Sequence, residues 1–68
     1  MTQVEFKAIK IGDKVRNGIR SIRRTVDHVY DDQSGARIIH TRQVRGCSKT
    51  IDNLDTTLES HYSNWRVE

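Results

Sequence analysis

Apolar and polar positions alternate along much of this chain. Val4, Phe6 and Ala8 alternate with Gln3, Glu5 and Lys7, which predicts a first strand with one apolar face. Ile9 and Ile11 lead to Gly12-Asp13, a turn signal. Lys14-Val15-Arg16 then precedes Asn17-Gly18, the dipeptide that most readily supplies the two positive φ angles of a type I′ hairpin, with Ile19 to Ile22 as the returning arm. The next hairpin centres on Ser34. With Gln33-Ser34-Gly35 as a three-residue loop and Gly35 left-handed, Asp32 pairs with Ala36, Tyr30 with Ile38, His28 with His40 and Val26 with Arg42. That register puts Tyr30, Ile38, Val26, Val44 and the two histidines on one face, taken as the core side. The Asp31/Arg37, Val29/Ile39 and Asp27/Thr41 pairs fall on the other. A four-residue loop would change every pair.

Two segments also fit the helical period. Ile19, Ile22, Val26, Val29 and Tyr30 form a stripe that Asn17 could cap, leaving Arg20, Arg23, Arg24 and Asp27 outside, as in a groove-binding helix. Ile51, Leu54, Leu58, Tyr62 and Trp65 form another, predicting a short helix near 50–61 followed by a final strand through Trp65 and Val67. Composition decides for strands in the middle: seven isoleucines and six valines stand against two leucines, the balance expected where β-branched side chains pack on a pleated sheet. The fold expected is mostly β, an antiparallel barrel of four to six strands forming one small basic domain over 1–68. At 68 residues its core is small and its stability a few kcal/mol.

Charge is distributed unevenly. From Lys7 to Arg45 ten basic residues stand against four acids, a balance of +6; from Gly46 onward two basic residues face four acids, a balance of −2. The asymmetry points to a polyanion or an acidic protein surface as partner. Lys14, Arg16, Arg20, Arg23, Arg24, Arg42 and Arg45 are the candidate contact set, with Tyr30 as a ring for base stacking. Arginines outnumber lysines eight to four, which favours bidentate contact with phosphate or carboxylate. Arg20, Arg23 and Arg24 are expected to point to solvent. An alternative protein contact is the acidic tail, with Asp55, Glu59, Tyr62 and Trp65, although Phe6 and Trp65 also read as core.

His28, His40, His61 and Cys47 lack the C-x-x-C and H-x-x-x-H spacings of a zinc site, and no cofactor or metal is expected. No nucleophile elbow or phosphate loop is present. Asp27, His28 and His40 could make a nuclease-like acid/base set, but neighbours in a regular strand point to opposite faces. A catalytic role is therefore not expected. The lone Cys47 excludes an internal disulfide, and no signal peptide or membrane span can be drawn, so a cytoplasmic protein without a membrane partner is expected, either monomeric or a homodimer.

The stretch Ile9-Lys10-Ile11-Gly12-Asp13-Lys14-Val15-Arg16, with the later Thr50-Ile51-Asp52-Asn53-Leu54, resembles the small SH3-like barrels of the KOW and Tudor type, some of them encoded by phages or mobile elements. The resemblance covers roughly half the chain. It implies that Ile9 to Arg16 opens the first barrel strand, that Ile51 to Leu54 forms the turn before the last one, and that the partner is RNA, DNA or a protein peptide. Arg23-Arg24-Thr25 stands where a KOW turn would carry its glycine, so the KOW contact itself is not carried over. Two functions are expected on these grounds: a nucleic-acid-binding regulator, or a protein-binding inhibitor or adaptor of a host nucleic-acid-handling complex.

Overall fold

A computed structural model describes residues 1–18, 22–43 and 46–68. The elements are α1 (Gln3–Ala8), β1 (Lys14–Arg16), β2 (Arg24–Asp31), β3 (Arg37–Arg42), β4 (Lys49–Asp52), a 3-10 turn at Tyr62–Asn64, and β5 (Arg66–Val67). The strands form one antiparallel sheet in the order β4-β3-β2-β1-β5, curled into a half-barrel. Its inner face holds Phe6, Ile9, Val15, Val26, Ile39, Ile51 and Trp65. The mostly β fold with five strands is as expected; several local assignments are not.

The first segment is a helix rather than a strand. Thr2 Oγ1 accepts from Glu5 N at 3.1 Å and Glu5 Oε1 accepts from Thr2 N at 2.8 Å, a reciprocal cap that satisfies two of the amides a helix start leaves open. The alternation of Val4, Phe6 and Ala8 has no structural counterpart: Phe6 is buried while Val4 and Ala8 lie in solvent.

The β1–β2 connection departs from the two-residue hairpin. Val15 pairs with Arg24 and Lys14 with Thr25, so the returning arm begins at Arg24 and Ile22 is exposed. Ile19, Arg20 and Ser21 of the expected arm lie outside the described residues. Gly18 does have φ +76°, but Asn17 is not left-handed, and a type I′ turn needs both. The strand, not the helix, is the form of 24–31.

The β2–β3 hairpin follows the expected register at its tip. Gly35 has φ +85°, and Asp32 pairs with Ala36 through its amide. Asp32 Oδ1 fixes the loop by accepting from Ser34 N, Ser34 Oγ and Ala36 N at 2.7 to 2.9 Å. Tyr30–Ile38, Val29–Ile39 and His28–His40 pair as read, but a β-bulge between Val26 and His28 then shifts the ladder. Val26 faces Thr41 and Thr25 faces Arg42, in place of the expected Val26–Arg42 and Asp27–Thr41 pairs. Val26 is buried as expected, but beyond the bulge the expected core side is reversed. Ile39 and Thr41 are fully buried, whereas Tyr30 and His28 are exposed. Val26 and Val29 have opposite parity, and an extra residue at Asp27 lets both face inward. Val44 lies outside the described residues.

No α-helix forms over 50–61. Ile51 pairs with Ile39 in β4, and Leu54 and Leu58 of the helical stripe are exposed. Polar side chains take the backbone elsewhere: Asp52 Oδ1 accepts from Leu54 N, and Asp55 Oδ1 accepts from both Thr57 N and Thr57 Oγ1. The expected final strand is β5, and Trp65 before it is buried with its indole N–H donating to the Glu59 carbonyl at 3.0 Å. Phe6 and Trp65 are core residues.

Candidate functional site

The outer face of the sheet carries the chemistry. Cross-strand pairing sets its rows, because directly opposite residues share a face. Lys14, Thr25 and Arg42 form one row over β1, β2 and β3. Arg66 and Arg16 form a neighbouring row over β5 and β1. Further along β2 and β3 come His28 opposite His40, then Tyr30 opposite Ile38. The face is therefore basic at one end and ring-bearing at the other.

The bulge shapes the middle of this face. Between the inward Val26 and the inward Val29, Asp27 and His28 both lie outside, so the expectation that they fall on opposite faces is overturned. Asp27 Oδ1 sits 2.6 Å from His40 Nδ1, and Asp27 Oδ2 sits 3.3 Å from Arg42 Nε. The hydrogen bond with His40 is the main reason that the Asp27 carboxyl titrates below the usual aspartate range. Arg42 keeps most of its side chain in solvent despite this contact. Lys14 Nζ donates to Thr25 Oγ1 at 2.7 Å, which holds the ammonium over the sheet. Arg16 Nε lies 2.7 Å from Glu68 Oε1, a half-exposed ion pair without hydrogen-bond alignment. Among the described residues, four cations at this end, Lys14, Arg16, Arg42 and Arg66, stand against two carboxylates, Asp27 and Glu68.

The candidate residues read from sequence separate into groups. Lys14, Arg16, Arg42 and Tyr30 come together on the outer face. Arg23 is exposed just ahead of β2. Arg24 is buried: it pairs with the inward Val15, and its Nη1 donates to the Cys47 carbonyl at 2.9 Å, which overturns the expectation that it points to solvent. Arg20 and Arg45 lie outside the described residues. In the tail set, Asp55 and Glu59 are exposed, Trp65 is buried, and Tyr62 stacks on Phe6 with ring centroids 4.9 Å apart.

Sequence reading did not place Asp27, His28, His40 and Arg66 in the contact set. The His28–His40 pair follows from the hairpin register, but Arg66 joins through β5, whose partner has no local signal. A separate open cleft of about 340 Å³ runs past Asn17, Lys49, Glu59 and Trp65, and there a lysine and a glutamate face the same space. Among the described residues no three His, Cys, Asp or Glu side chains converge on a metal position, and no helix is long and apolar enough to cross a membrane. No family model, curated protein or solved structure matches this chain.

Proposed function

We propose that this chain is a small SH3-like module that binds nucleic acid through the outer face of its sheet. The observation that carries the reading is the cross-strand row Lys14–Thr25–Arg42, with Arg16 and Arg66 in the next row: four cations from three strands, β1, β3 and β5, converge on one face. Phosphate binding needs such convergence, because each neutralised phosphate releases condensed counterions and several must be met at once. Two features support the SH3-like part. The strand order places β1 between β2 and β5, and Asn53-Leu54, the second half of the expected turn, follows β4 ahead of the final strand, although Ile51 and Asp52 belong to β4 itself.

The double variant Lys14→Gln/Arg42→Gln tests the reading, since both side chains are solvent-facing and their loss leaves the core untouched. Affinity for a labelled polynucleotide should fall about tenfold or more with an unchanged unfolding midpoint. Undiminished binding would remove the face from consideration.

A second reading, a protein-binding inhibitor or adaptor, draws on the loop after β4, where exposed Leu54 and Leu58 alternate with Asp55 and Glu59. Trp65 is not an available anchor for that contact, being buried. Capture of a specific protein from nuclease-treated lysate, abolished by Leu54→Ser/Leu58→Ser, would favour this reading over the first.

A further inference from the structure

His28 and Tyr30 follow each other at alternate positions of β2 and so share its outer face. Their ring centroids are 5.2 Å apart with planes inclined by 38°, and Tyr30 is 44% exposed. Tyr and His rings are found both inside and outside proteins; here the two most apolar aromatics, Phe6 and Trp65, are buried and this pair is left on the surface. Across the hairpin the half-buried Ile38 lies opposite Tyr30, and His40, steadied by Asp27, lies opposite His28. The result is a patch two strands wide with a ring-bearing surface. The basic row begins at Arg42, four residues along β3 from Ile38, a distance of about 13 Å at the rise of a strand.

We infer that the ligand of this face is a single-stranded nucleic acid, with unpaired bases stacked on Tyr30 and His28 and the flanking phosphates over Lys14 and Arg42. The inference rests on the proposed nucleic-acid interface and specifies what it takes. In a duplex the base faces are occupied by neighbouring bases and only the edges are open in the grooves, so side-chain rings lying on a sheet have nothing to stack on. Unpaired bases offer a π-face whatever their sequence, and cations beside the rings hold the connecting backbone. The described part of this face also carries no helix that could enter a major groove: α1 lies on the other side of the sheet, with Phe6 in the core. Tyr62 cannot serve as a second platform, since its ring is stacked on Phe6.

Fluorescence anisotropy with labelled oligonucleotides of about a dozen nucleotides tests this at low salt: one RNA strand, one DNA strand of the same sequence, and the corresponding DNA duplex. Both single strands should bind at least about tenfold more tightly than the duplex, and the ratio between them reports any preference for ribose. Tyr30→Ala should weaken single-strand binding between about 5- and 150-fold, as loss of one stacked base does, while Tyr30→Phe keeps the ring and most of the affinity. Circular dichroism of the Tyr30→Ala protein checks that the sheet is retained. If the duplex binds as well as the strands, or if Tyr30→Ala leaves single-strand affinity unchanged while Lys14→Gln/Arg42→Gln reduces it, stacking is overturned and the cationic interface stands. If none of the three oligonucleotides binds, the interface reading falls as well.

Discussion

Arg24 and Arg23 are neighbours in sequence with opposite roles. The Arg24 side chain passes inward beside Val15 and satisfies the Cys47 carbonyl, whereas Arg23 lies in solvent. Arg24 is buried and Cys47 exposed, so truncating Arg24 removes both the packing of its stem and its hydrogen bond to the loop. Arg24→Gln should therefore lower stability by about 1–3 kcal/mol, and Arg23→Gln by no more than about 0.5 kcal/mol, as read from urea unfolding. Equal, small effects of the two would show that the guanidinium of Arg24 does not hold the loop at Cys47. From sequence the pair is indistinguishable, because charge alone does not tell on which side of an unpaired strand a residue falls. The register with Val15 decides it, and the Asn17-Gly18 signal at that connection points to a two-residue hairpin that does not form.

At the level of elements, the bulge at Asp27 has a specific structural consequence. Removing Asp27 would leave Val26, His28 and Val29 in regular in–out–in alternation, with Val26 still opposite Thr41 and His28 still opposite His40. A protein lacking Asp27 should keep one cooperative unfolding transition, whereas deleting His40 would turn Thr41 outward and Arg42 inward and should abolish it. Thermal unfolding followed by circular dichroism separates the two, and failure of both deletions to fold would mean that the bulge is required by the core. The hairpin tip was legible in sequence because Gly35 and Asp32 carry strong turn chemistry. The bulge was not, and with it went the choice of face: Ile38 and Ile39 are adjacent, so either could have led to the core. The helix at 3–8 was legible from Thr2 and Glu5 at capping-box spacing, yet three alternating apolar residues suggested a strand. The tail misled for the opposite reason, since its helical stripe is real but Asp52 and Asp55 bind the backbone in turns.

For the whole molecule, a small core leaves stability sensitive to carboxylates that act locally. Asp32 titrates below its ordinary value of 3.8, chiefly through the Ser34 hydroxyl and then the Ala36 amide, and Asp55 is lowered by the Thr57 amide and hydroxyl. A carboxyl lowered by folding contributes its full stabilisation above the unfolded value and loses it as pH falls through the folded one. The urea midpoint should accordingly drop as the pH goes below about 4, and Asp32→Asn should make that drop shallower. A midpoint that stays level or rises on acidification would contradict the role given to these turns. The central claim, phosphate neutralisation on the outer face, is tested most directly by the salt dependence of single-strand binding. With three or four of Lys14, Arg16, Arg42 and Arg66 engaged, the logarithm of affinity should fall with the logarithm of salt at a slope of about −2 to −3, or about 20- to 50-fold between about 50 and 200 mM. Lys14→Gln/Arg42→Gln should bring that slope about 1.4 closer to zero; an affinity indifferent to salt, or a slope the double variant leaves unchanged, would contradict it.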